Sequence, residues 1–93
     1  MKRLEIIANR SVEEEMTDAI SAAVPGFRYT LVPGVMGSGR QGKRLSSATW
    51  PEENFILVSY LEDGECARAR AAAEDVKARF PAEGIRVFSC PAD

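Results

Sequence analysis

Phe55-Ile56-Leu57-Val58-Ser59-Tyr60-Leu61 (FILVSYL) is apolar at almost every position. Successive side chains of a strand point to opposite faces, so Phe55, Leu57 and Leu61 would line one face and Ile56, Val58 and Tyr60 the other. A strand apolar on both faces belongs in the middle of a sheet and needs cover on both sides. Lys2 to Ala8 (KRLEIIA) reads the same way, with Leu4 and Ile6 on one face and Ile7 on the other. These two stretches set the centre of the fold.

Outward from them, Phe27 to Val32 (FRYTLV) alternates as a further strand until Pro33-Gly34 releases the chain. Ile85 to Ser89 (IRVFS) is the last strand, followed by a short tail, Pro91-Ala92-Asp93. Between the first two strands, Ser11 and Glu14 have the S-x-x-E spacing of a capping box. In that arrangement each side chain accepts from an N–H group that the first helical turn leaves unpaired. Glu13, Glu14, Glu15 and Asp18 suit the positive end of that helix, and Val12, Met16, Ala19, Ile20 and Ala23 form one apolar stripe along it. Pro25-Gly26 ends it. A second helix is expected after Asp63-Gly64, with Cys66, Ala69, Ala73, Val76 and Phe80 facing inward, Arg68, Arg70 and Arg79 on a solvated face, and a stop at Pro81 to Gly84.

The order β-α-β-loop-β-α-β predicts a ferredoxin-like α+β sandwich: a four-stranded antiparallel sheet with two helices on one face, in a single domain over 1–93. Two helices cover only one face of such a sheet. The doubly apolar central strands therefore call for self-association through the open face.

Composition narrows the function classes. The apolar fraction of 45% and charged fraction of 28% are those of an ordinary soluble globular protein. There is no run of about 18 apolar residues to span a bilayer, and the N-terminal apolar segment is too short for a signal peptide, so a cytoplasmic location is expected. A net charge of −2 argues against general nucleic-acid binding. The chain has no histidine, the commonest general base and metal ligand, and its two cysteines, Cys66 and Cys90, fit no C-x-x-C pattern. No nucleophile stands beside a base and no acids pair on a defined face, so no catalytic residue is assigned and a non-enzymatic role is expected.

Gly34 to Trp50 (GVMGSGRQGKRLSSATW) carries four glycines, Arg40, Lys43 and Arg44, and no acid. This segment is +3, which leaves −5 on the rest of the chain. Glycines let the backbone turn its N–H groups toward a ligand, and guanidinium and ammonium groups beside them supply charge for an anion such as phosphate. Arg40 and Gln41 are the leading candidates. Trp50, beside Pro51, is either a plug where the loop rejoins the sheet or an anchor for a partner. Glu52 and Glu53 are either a solvated approach to the strand or carboxylates that close on Arg40 or Arg44 across a subunit boundary. Cys66 reads as a small core residue and Cys90 as the more exposed thiol.

Gly37-Ser38-Gly39-Arg40-Gln41, placed just after the second strand, resembles the G-x-G-R-Q of the P-II signal-transduction proteins. Thr49-Trp50-Pro51-Glu52-Glu53-Asn54 and Gly84-Ile85-Arg86-Val87-Phe88 resemble the T-W-P-E-x-N and G-I-R-x-F segments of a small P-II-like group with a short loop. The resemblance implies a homotrimeric regulator whose loops lie at the subunit clefts, bind an adenine nucleotide or another small anion, and dock on a target transporter or enzyme. On that reading Gly37, Ser38, Gly39, Arg40, Gln41, Lys43 and Arg44 bind the ligand, while Trp50 and Glu52 meet the partner. The chain departs from the pattern in two places: it lacks the second glycine-rich nucleotide loop, T-G-x-x-G-D-G-K, and it has no tyrosine between Pro33 and Asn54 for uridylylation. A metal-tolerance role on the same superfold is the alternative. Its ligands would have to come from Cys66, Cys90, Met36 or the acids, because Ala48 stands where that group often has a histidine before T-W-P.

Overall fold

The computed structural model describes residues 1–36 and 53–93. Within them the elements are β1 (Lys2–Asn9), a 3-10 turn (Arg10–Val12), α1 (Glu13–Ala23), β2 (Thr30–Val35), β3 (Asn54–Leu61), α2 (Asp63–Arg79) and β4 (Arg86–Pro91). The strands form one sheet in the order β2-β3-β1-β4, with every neighbouring pair antiparallel. This is the expected ferredoxin-like sandwich. The doubly apolar β1 and β3 occupy the two central positions, where their backbones are paired on both sides.

Alternation along β1 and β3 decides what lies beneath the helices. Leu4, Ile6 and Ala8 of β1 and Phe55 and Leu57 of β3 are fully buried, with Leu61 close behind. Met16 and Ile20 of α1 meet them with Val12, while Cys66, Ala69, Ala73 and Val76 of α2 complete the core and Phe80 packs at its margin. Burying each of the larger side chains contributes about 1.5–3 kcal/mol relative to exposure. The small residues on α2 matter for a different reason. They let this helix approach the sheet closely beside α1.

Four local readings are corrected by the structure. Ser11 does not cap α1: the Asn9 side chain accepts from the Ser11 N–H at 2.9 Å, and the Ser11 hydroxyl donates to Glu83 at 2.8 Å. The carboxamide ending β1 is nearer, and its bond two residues on is the local turn that Asn readily makes. The chain then passes through the 3-10 turn before α1 begins with Glu13, Glu14 and Glu15 in its first turn. Second, α2 starts at Asp63, two residues earlier than expected, so that the Asp-Gly pair lies inside its first turn; Glu62 is the capping residue, its N–H donating to the Glu65 carboxylate at 3.1 Å.

Third, β2 is displaced along the chain. Phe27, Arg28 and Tyr29 precede it, and the strand runs through Pro33 and Gly34 to Val35 with a shift of register between Val32 and Val35. Proline is tolerated because β2 is an edge strand, and Gly34 takes φ +67° at the irregularity. Fourth, β4 extends beyond Ser89. Lys2 pairs with Pro91, and the Ala92 N–H donates to the Met1 carbonyl at 2.9 Å, so the short tail prolongs the ladder.

The face opposite the helices carries Arg3, Glu5 and Ile7 of β1, Ile56, Val58 and Tyr60 of β3, Thr30 and Val32 of β2, and Arg86, Phe88 and Cys90 of β4. Neither helix covers it. Val32, Tyr60 and Phe88 are 44%, 55% and 50% exposed there, which for large apolar side chains marks a surface without a partner inside the described chain.

Candidate functional site

The glycine-rich segment leaves the sheet at the end of β2 and rejoins it at the start of β3. Both ends are fixed. Val35 pairs with Asn54, and Asn54 in turn pairs with Asn9 of β1. The Arg10 N–H donates to the Glu53 carbonyl at 2.9 Å, and the Arg10 guanidinium lies 3.5 Å from the Glu53 carboxylate. That ion pair is exposed and contributes little by itself, but with the backbone bond it pins the returning strand to the β1–α1 corner. Gly37, Ser38, Gly39, Arg40, Gln41, Lys43, Arg44, Trp50 and Glu52 lie outside the described residues, as does Ala48.

At the other end of β2 the structure forms a groove of about 280 Å³ lined by Arg28, Tyr29, Thr30, Val58, Ser59 and Tyr60. Local packing shapes it. Phe27 and Tyr29 stack with ring centroids 5.1 Å apart, and the buried Ser59 hydroxyl donates to the Arg28 carbonyl, which fixes the approach to β2 against β3. Two tyrosines beside a backbone edge and an exposed guanidinium can take a flat ring together with an anionic group. None of these residues was a candidate from sequence. The F-R-Y alternation reads as strand and gives no hint that Arg28 and Tyr29 stay exposed before the ladder begins, while Phe27 packs against the core.

A second feature sits beside it on the open face. The Arg3 guanidinium donates to the Tyr60 hydroxyl at 2.8 Å and to the Glu5 carboxylate at 2.9 Å, and lies 5.8 Å from the Tyr60 ring centroid. The bond to Glu5, and after it the bond to Tyr60, holds the Arg3 guanidinium even more firmly in its charged form than usual. Beside this group a cavity of about 130 Å³ is lined by Arg3, Glu5, Phe88, Ser89 and Cys90.

The remaining candidates are placed as follows. Cys66 is buried beneath α2, and Cys90 is exposed on β4 opposite Arg3; both are free thiols on opposite sides of the sheet. Met36, 66% exposed, lies at the far end of β2. Among the described residues no group of three acids or cysteines is placed to hold a metal ion. Two of the helix arginines are more than a solvated face. Arg70 donates to the Ser89 hydroxyl at 2.8 Å and Arg68 to the Ala23 carbonyl at 3.4 Å, tying α2 to β4 and to the end of α1, while Arg79 lies over the Phe80 ring.

No family model matches the sequence, and no curated protein does at a significant level. Solved structures do. A P-II-like signalling protein of Thermus thermophilus is similar at a TM-score of 0.67 and 20% identity, over 96% of this chain and 83% of the other. The nitrogen regulatory P-II-like protein CPII of Thiomonas intermedia, in a structure bound to ADP and bicarbonate, gives a TM-score of 0.67 and 21% identity over 96% of this chain and 84% of that one. The same protein bound to ADP, AMP and acetate gives 0.65 and 19%, over 99% and 87%. The fold is that of P-II-like signalling proteins. At this identity the likeness speaks for the P-II-like architecture, and the ligands named are those of CPII.

Proposed function

We propose that the chain is a P-II-like regulatory protein, without catalytic activity, that binds an adenine nucleotide and passes the bound state to a target protein. The observation that carries this is the likeness to CPII bound to ADP and bicarbonate over nearly the whole chain, together with G-x-G-R-Q at the position after β2. The groove at the start of β2 supports it. Tyr29, Tyr60 and Arg28 line it, which puts aromatic groups for a base beside a guanidinium for phosphate. Arg40 and Gln41, with the backbone of Gly37 to Gly39, complete the anion contacts. Lys43 and Arg44 steer by charge, and Trp50 and Glu52 meet the target, a transporter or an enzyme.

The assembly is a homotrimer, formed by burying the open sheet face between copies, and the location is cytoplasmic. Among the described residues no helix is long and apolar enough to cross a membrane. The nucleotide site lies at the cleft between copies, so loop and groove need not come from one chain. The chain lacks the second glycine-rich loop, so a diphosphate or monophosphate, which needs fewer phosphate contacts, is the expected ligand over ATP. Calorimetric titration with ADP, AMP and ATP, each with and without bicarbonate, tests this reading. Binding of ADP or AMP that is markedly weakened in Arg40→Ala is the expected result. Absence of binding for all three, in assembled wild-type protein, would remove the nucleotide from the proposal.

A further inference from the structure

The open sheet face is not uniformly apolar, and the way it is divided has a consequence for assembly. Across the sheet, one row runs Cys90–Arg3–Tyr60, the next Phe88–Glu5–Val58–Thr30, and the third Arg86–Ile7–Ile56–Val32. Ile7, Ile56 and Val32 of the third row, with Val58 and Phe88 of the second, are the apolar part that gains from being covered. Arg3 and Tyr60 of the first row form a single hydrogen-bonded group with Glu5, in which Arg3 is held by both Glu5 and Tyr60. Arg3 and Glu5 are themselves only about one-third exposed, at 36% and 30% of their side-chain surface.

We propose that the Arg3–Glu5–Tyr60 group sets the register and the number of copies in the self-association of this face. The proposal rests on the homo-oligomeric reading above and names what regulates its stoichiometry. The occupant is a second copy of this chain, and the argument is charge complementarity. A guanidinium has five N–H donors, and the bonds to Glu5 and Tyr60 use two of Arg3's. When the face is covered, the remaining donors need acceptors, and an apolar partner surface would leave them unsatisfied. A patch that carries one cation and one anion side by side is answered by another copy of itself, whose Glu5 and Tyr60 oxygens can accept from Arg3. Apolar contact between flat sheet faces tolerates many relative positions. A polar group within it does not, because only a few offsets pair every donor, and single polar groups in apolar seams fix copy number at some expense of affinity.

The experiment is native mass spectrometry with sedimentation velocity on the full chain. Wild type is expected as one oligomeric species. Arg3→Met with Glu5→Met, which keeps length and removes the polar demand, is expected to associate at least as tightly but as a mixture of copy numbers. Its far-ultraviolet circular dichroism should stay that of the wild type. A single species of wild-type mass for the double variant would overturn the proposal, and so would a monomer, since the group would then supply the attraction and not the order. Should the double variant fail to fold, Tyr60→Phe decides, because it removes only an exposed hydroxyl that holds Arg3: a mixture supports the proposal and an unchanged single mass overturns it. Wild-type protein that is monomeric would sink the oligomeric reading itself, and this proposal with it. That outcome is distinct from an oligomer indifferent to the substitutions, which sinks this proposal alone.

Discussion

Guanidinium and ammonium carry the same charge with different geometry, and this separates the basic residues between Gly34 and Trp50. Arg40 can match two oxygens of a phosphate or carboxylate with two parallel N–H groups, which a lysine cannot. Arg40→Ala is therefore expected to weaken nucleotide binding by about 1.5–3 kcal/mol, roughly 10- to 150-fold, the range for hydrogen bonds to a charged group. Lys43→Ala acts through distance. Its smaller effect should fade as salt rises from about 0.05 M toward 1 M and the screening length shrinks from over 10 Å to about 3 Å. Titration at two salt concentrations checks both, and an Arg40→Ala protein with wild-type affinity would reduce the segment to a connector. In the core, Phe55 is fully buried near the start of β3, and Phe55→Ala is expected to cost about 3–5 kcal/mol in urea unfolding. At the helix start, Asn9→Ala should cost about 1 kcal/mol, with Ser11→Ala costing less because its hydroxyl makes only a solvent-exposed bond to Glu83.

Among the elements, those with a strong period were legible in the sequence, and those governed by a single polar contact were not. The stripes Val12-Met16-Ile20 and Cys66-Ala69-Ala73-Val76 lie where helical spacing puts them, and the two central strands stand in the middle of the sheet because they are apolar on both faces. The β2 boundary failed because Pro33-Gly34 is ordinarily a stop. Edge position removes that penalty, and edge position is a property of the assembled sheet. The groove was hidden for the same reason, since it depends on where Phe27 to Tyr29 lie relative to β3. Gly34 offers a test at this scale. An added Cβ would meet nothing within 4 Å among the described residues, so the expected cost of Gly34→Ala is that of φ +67° for an L-residue, about 1–2 kcal/mol. Gly84 has equally open surroundings and no positive φ, so Gly84→Ala should be neutral or stabilise by up to about 1 kcal/mol. Equal effects of the two substitutions in denaturant titrations at one protein concentration would mean that the Gly34 backbone relaxes.

For the whole molecule, the decisive quantity is what happens to the face that neither helix covers. A chain of 10.2 kDa buries a modest share of its surface, and here Val32, Tyr60 and Phe88 stay about half exposed beside Ile7, Ile56 and Val58. Covering that face with copies of the chain adds apolar burial without any change in the fold, which is why a homotrimer is expected at micromolar concentration. Ile56→Glu tests it at the point of greatest leverage. Ile56 lies on β3 between Ile7 and Val32, where a carboxylate would be taken from water into an apolar seam, and an unpaired charge there is costly enough to keep the copies apart. The chain's own core lies on the other side of the sheet and should be indifferent. The expected result is a folded species of about 10 kDa with the circular dichroism of the wild type. If the nucleotide is held at the cleft between copies, the monomer should also lose most of its ADP binding. A monomeric Ile56→Glu protein that bound ADP with wild-type affinity would place the whole site within one chain, in the groove beside Tyr29 and Tyr60. An Ile56→Glu protein that remained trimeric would mean that the copies meet elsewhere.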